Sequence, residues 1–168
     1  MLKKILLAVA VAFSFAASAQ TVKIGLVDVN AVMAAMPETV AAQTKMQETQ
    51  NKYDAEYKAL GEELQKQLQE LQNMKEDELP AIRERKTKAF QDNQQKLQAF
   101  EQSAMNDLQK LQNELMAPIM QKMKGAIESV GKEGNFTLVQ NLEPSITFYY
   151  SAPAEDITPL VKAKLGIK

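Results

Sequence analysis

Between Leu97 and Val130 apolar residues recur at Leu97, Phe100, Ala104, Leu108, Leu111, Leu115, Ile119, Met123, Ile127 and Val130, nine steps in 33 residues. That is an eleven-residue repeat, which favours a straight or slightly right-handed helix over a strict heptad supercoil. Upstream, Tyr53, Tyr57, Leu60, Leu64, Leu68 and Leu71 take five steps in 18 residues, the ~3.6-residue period of one helix face. Each stripe is narrow, and the residues around it are mostly Gln, Glu and Lys. Two such helices have no large core to enter, so they must zip against each other.

The stretch between them, KEDELPAIRERK at residues 75–86, decides how they meet. A first helix running to Glu78 would end on three acids and start the second on Arg83, Arg85 and Lys86, the wrong signs for both dipoles. Ending the first helix near 73–75 and capping the second with Asp77 reverses this and puts Pro80 in a first turn, where no backbone donor is needed. The stretch is a hairpin tip near 74–80. A connection this short makes the helices antiparallel. At 40 to 50 residues each, the arms are about 60 to 75 Å long at ~1.5 Å per residue. Gly61 and Pro118 are candidate bend points.

The arm spans residues 38–131 and returns the chain to where it began. There TVKIGLVDVN, with Val22, Ile24, Leu26, Val27 and Val29, reads as a strand buried on both faces, followed by a short helix capped by Asn30 and stopped by Pro37. After Gly131 and Gly134 end the second arm, NFTLVQ and ITFYY read as two more strands. Thr158 and Pro159 then open a terminal helix. Residues 20–37 and 132–168 therefore form a β-body. The fold class is α+β, mostly α: a coiled-coil arm on a small body built from both chain ends. Three short strands make a poor independent core, and oligomerisation would supply the missing burial.

The first residues have the form of an export signal. Lys3 and Lys4 precede an apolar run from Ile5 to Ala17, and Ala17-Ser18-Ala19 has the small-x-small form of a cleavage site, giving a signal peptide of residues 1–19 and a mature start at Gln20. The run is shorter than the ~20 residues of a membrane-spanning helix. Removing Lys3 and Lys4 from the 20 basic residues leaves 18 against 21 acidic ones, a mature net charge of −3, so bulk attraction to nucleic acid is not expected. The chain has neither Cys nor His. It can form no disulfide, it lacks the usual zinc and copper ligands, and Ser-His or Cys-His nucleophilic catalysis is closed to it.

Other chemistry is thin. GAIESVGKE at 125–133 mimics a phosphate loop but has five residues between Gly125 and Gly131 where four are needed, with Glu133 in place of Ser or Thr. No catalytic, cofactor-binding or metal-binding residue is assigned, and no cofactor is expected. Two groups are candidates for partner contact. Met33, Met36, Met116, Met120 and Met123 make an adaptable surface if they converge where the arms join the body, against a competing role as core filling. Arg83, Arg85, Lys86 and Lys88 make a basic tip for an anionic client or membrane surface, against plain helix solvation.

The order of KIGLVDVNAVMAAMPE, a Gln-rich hairpin with QAFEQ on its second arm, GNFTLVQN and DITPLVKAKL resembles the Skp/OmpH-like family of periplasmic chaperones across the whole mature chain. The resemblance implies a non-enzymatic homotrimer with a shared β-body and helical arms around a cavity. It implies a periplasmic, ATP-independent holdase for unfolded outer-membrane proteins. It also implies that Ile24, Leu26, Val27, Leu138, Val139, Ile146 and Phe148 occupy body-strand positions. The best-known members are strongly basic and this chain is not, so no lipid-binding residues are carried over. A structural spacer or adaptor of the cell envelope is the alternative, distinguished by one specific hot spot rather than diffuse contacts.

Overall fold

The computed structural model describes residues 22–143 and 145–167. The expected signal peptide and its cleavage site lie outside the described residues. Strand β1 (Ile24–Val27) is followed by helix α1 (Val29–Ala35), the long helices α2 (Pro37–Gln72) and α3 (Pro80–Glu133), strands β2 (Leu138–Asn141) and β3 (Ala154–Asp156), and helix α4 (Thr158–Lys164). The chain packs as two compact units, one from the residues before Met36 together with those from Met123 onward, the other from Met36–Lys122.

The first unit is built on a three-stranded parallel sheet in the order β2-β1-β3. Ile24 pairs with Leu138 on one side and Ala154 on the other. The central strand is β1, and Leu26 and Val27 are buried, as its unbroken apolar run requires. Val32 of α1 and Ile157 and Val161 of the C-terminal segment complete a core with no measurable exposure. Gly25 permits this closure, because a Cβ there would come within 2.9 Å of the Ile157 side chain and 3.2 Å of the Phe136 ring.

Three details of this unit differ from the sequence reading. The third strand is Ala154–Asp156, and ITFYY carries no strand: Ile146 is 72% and Phe148 90% exposed. Its β-branched and aromatic composition is strand-like, but a single chain offers it neither a partner edge nor a surface to cover. The cap of α1 is Asp28 rather than Asn30, with the Asp28 carboxylate accepting the Ala31 N–H at 2.8 Å. Thr158 is the first helical residue of α4 rather than its cap. Its hydroxyl instead accepts the Asp28 N–H at 2.8 Å, while Asp156 accepts the Thr158 N–H.

At the end of α3 the Phe136 N–H reaches the Gly131 carbonyl at 2.9 Å and the Asn135 N–H reaches that of Lys132 at 3.2 Å. This double closure needs one left-handed residue, and Asn135 supplies it at φ 52°. Gly131 lies within the helix, and Gly134 matters because a Cβ there would come within 2.3 Å of the Phe136 ring.

The second unit is the helical hairpin. Lys86 meets Glu70, Tyr53 meets Asp107 and Lys122 meets Glu38, an antiparallel register from tip to base. On the second arm the buried stripe falls where the eleven-residue repeat places it, with Leu97, Phe100, Leu108, Leu111 and Leu115 half-buried and Ala104 and Ile119 buried. On the first arm the stripe is narrower than its Leu and Tyr content suggests. Tyr57 and Leu68 are 45% and 41% exposed, while Thr39, Ala42, Met46, Thr49, Tyr53, Leu60, Leu64, Gln67 and Leu71 take the covered positions. One partner helix covers only about two positions in seven, so part of an apolar face stays wet.

The tip also departs from expectation. Helix α2 stops at Gln72 with Asn73 closing onto the Gln69 carbonyl, and the Leu79 carbonyl, not an Asp77 side chain, receives the first bonds of α3. Pro80 does open the helix. Gly61 and Pro118 lie inside continuous helices and interrupt neither.

Candidate functional site

The second unit combines long polar helices with separate apolar features. Val40, Tyr57, Leu68, Leu79, Met105 and Met120 are each at least 41% exposed. Near the base, Ala41, Ala42, Leu115, Pro118 and Ile119 line a mainly apolar groove of ≈ 480 Å³, with Glu114 and the Lys122–Glu38 pair also in its lining. The Lys122 ammonium beside Glu38 holds its carboxyl below the ordinary range. Midway along, Tyr53 and Phe100 meet edge to face with ring centroids 5.9 Å apart. The Tyr53 hydroxyl donates to Asp107 at 3.1 Å, which raises its pKa by favouring the neutral phenol.

The five methionines divide by environment. Met36 and Met123 are buried at 1% and 3% exposure, Met33 and Met116 are half-buried, and Met120 is exposed. They do not form one open surface, because the helical period that carries Ile119, Met123 and Val130 inward turns Met120 outward.

The basic tip also divides. Arg83 donates to the Lys75 carbonyl at 3.1 Å and so fastens the turn, and Lys86 pairs with Glu70 at 3.7 Å. Arg85 and Lys88 are exposed, and among the described residues neither has an ion-pair partner. An arginine reaching back eight residues into a turn leaves no periodic signal in sequence.

In the first unit the residues assigned to a shared body fall into two groups. Leu26 and Val27 are buried within one chain, and Ile24 and Val139 are half-buried. Leu138, Ile146 and Phe148 are exposed, joined by Tyr149 at 83% and Tyr150 at 42%. Around them Lys23 pairs with Glu155 at 3.0 Å and lies 4.1 Å from the centre of the Phe136 ring. Lys164 and Ser129 both hydrogen-bond Glu133 and hold its carboxyl below the ordinary range. Sequence reasoning missed the Lys23 and Lys164 cross-links, since each joins residues far apart in the chain, whereas Ser129 and Glu133 are one helical turn apart.

The family model for outer membrane protein (OmpH-like) matches residues 23–165. A crystal structure of an OmpH-like chain from Caulobacter crescentus, assigned as an outer membrane chaperone, superposes with a TM-score of 0.72 at 14% identity, covering 86% of this chain and 83% of that one. No curated relative matches the sequence. The family match spans nearly all the described residues, and the shared fold agrees with it. The chain belongs to the OmpH-like family.

Proposed function

We propose, from its place in the OmpH-like family, that this protein is a non-enzymatic, ATP-independent holdase. It is exported by a cleaved signal peptide and keeps unfolded outer-membrane proteins from aggregating in the periplasm. The observation that carries this reading is the spacing of exposed apolar side chains, Val40, Tyr57, Leu68, Met105 and Met120, along otherwise polar helices. Each offers a weak contact. Together they can occupy a client's apolar segments and strand edges without burying them irreversibly.

In this reading the arm, residues 38–131, contacts clients, and the body, residues 20–37 and 132–168, assembles a trimer. Leu138, Ile146, Phe148 and Tyr149 supply the intersubunit contact as exposed side chains, and Leu26 and Val27 support it from within each chain. An exposed aromatic segment beside a small sheet is surface that a soluble chain covers with a neighbour. Arg85 and Lys88 are the tip cations left to meet an anionic client or membrane surface.

The test is dilution of a denaturant-unfolded β-barrel membrane protein into buffer with and without the purified mature chain, followed by light scattering. Suppressed aggregation without ATP is expected. Unchanged scattering at a molar excess refutes the reading, and suppression abolished by one point substitution on the arm would favour an adaptor with a single hot spot.

A further inference from the structure

Halfway along the hairpin, Tyr53, Tyr57, Phe100 and Met105, with Asp54 and Glu101, line a notch of ≈ 250 Å³. Two of its rings are fixed: Tyr53 and Phe100 pack edge to face, and the Tyr53 hydroxyl is held by Asp107. Tyr57 and Met105 remain 45% and 62% exposed, so the apolar wall has area left to cover. The charged residues that line it have one sign. No Lys or Arg lines the notch. From Leu97 to Gln109 the second arm carries Glu101 and Asp107 and no base, and Tyr53 to Tyr57 carries Asp54 and Glu56. Lys52, Lys58, Lys96 and Lys110 flank these segments outside the lining, and Lys58 and Lys110 pair with Glu62 and Glu114 at 3.9 Å.

Aromatic rings edged by carboxylates are the surroundings a cationic side chain meets well, its charge over a ring face and its donors on the carboxylates. A guanidinium suits them better than an ammonium, because it is planar, weakly hydrated and able to stack while its N–H groups bond sideways. The notch is the size of one long side chain rather than of a folded surface.

We infer that this notch is a subsite for arginine side chains of unfolded polypeptide, with the aromatic wall taking the guanidinium plane and Asp54 and Glu101 taking its charge. The inference rests on the holdase reading for the source of the polypeptide and gives that reading a chemical preference. It is the reverse of the basic tip: the middle and the tip of one arm select opposite charges.

The probe is a fluorescently labelled, disordered Gly/Ser-rich peptide carrying arginines beside a phenylalanine, compared with the same peptide bearing citrulline, the neutral near-isostere of arginine. Anisotropy titrations use the full mature protein. The arginine peptide is expected to bind about three- to tenfold more tightly, the scale of one cation–π contact with a solvent-screened ion pair. Asp54→Asn with Glu101→Gln should erase the preference, and so should Tyr57→Leu. All three positions are exposed, and circular dichroism should show unchanged helix.

Equal binding of the two peptides, or binding of neither, overturns the inference, as does a preference that survives both sets of substitutions. The same samples are assayed for suppression of β-barrel aggregation. Suppression without arginine preference removes the subsite and leaves the holdase, whereas preference without suppression removes the holdase and leaves a cation-selective peptide site.

Discussion

The same substitution, glycine to alanine, should have opposite effects at two positions of this chain. Gly61 lies inside α2 with nothing within 4 Å of where a Cβ would stand. Alanine there gains helix propensity and loses nothing, so Gly61→Ala should stabilise by up to about 1 kcal/mol. Gly134 closes α3, where a Cβ would sit 2.3 and 2.6 Å from two atoms of the Phe136 ring and 3.1 Å from the Val130 carbonyl. The ring has little room to retreat, since it lies against Gly25 and 4.1 Å from the Lys23 ammonium.

Moving the ring costs the overpacking range of about 1 to 3 kcal/mol, against at most about 1 kcal/mol from the lost glycine flexibility. With the ring held on two sides the upper part of that range applies, about 2 to 3 kcal/mol, so the net for Gly134→Ala is a destabilisation of about 1 to 2 kcal/mol. For a chain of this length that is a fall in Tm of roughly 2 to 8 °C. Urea titrations followed by far-ultraviolet circular dichroism, at one fixed protein concentration so that assembly does not shift the midpoint, measure both variants. A Gly134→Ala protein as stable as the unmodified one would refute the placement of Phe136 over the helix end. A destabilised Gly61→Ala would refute the open surface at Gly61.

Ile157→Ala should cost about 2 to 5 kcal/mol, read as a lower denaturation midpoint, because the side chain has no exposure and fills the space above Gly25. Glu38 and Glu133 have folded-state pKa values below the unfolded one, so their contribution is complete above an unfolded value of about 4.3 and is lost as pH falls through the folded value. The stability difference between the unmodified protein and a Glu38→Gln, Glu133→Gln variant should therefore shrink on acidification, and a constant difference from pH 7 to 3 would contradict this. Phe148→Asp should lower the molar mass found by light scattering, and an unmodified protein that is itself monomeric would remove the trimer. Arg85→Gln with Lys88→Gln should slow capture of a labelled unfolded client in stopped-flow at low salt and converge with the unmodified protein near 1 M, where the Debye length is ~3 Å.

The arms were legible because a helix states its packing face every 3.6 residues, and over 33 residues the phase error at any one position averages out. On the second arm that was enough to place Ala104 and Ile119 in the seam. On the first arm the same reasoning overreached at Tyr57 and Leu68, since periodicity reports which side is apolar and not how much of it one partner helix can cover. In the body β1, β2 and the terminal helix were legible, and the third strand was read from composition alone. ITFYY has the side chains of a strand, yet pairing depends on which edge lies beside it, and in one chain β3 forms eight residues after Ile146, at Ala154–Asp156, on the edge of β1. The caps failed for a related reason. Asp28 and Asn30 are chemically equivalent as cap candidates, and the choice falls to Asp28 because its own N–H is held by the Thr158 hydroxyl, 130 residues away. The two overreaches bear on the proposed function in the same way. Tyr57 and Phe148 have the composition of core residues and stay exposed in one chain. Side chains of that size left wet by their own fold are surface that a client or a second copy would cover.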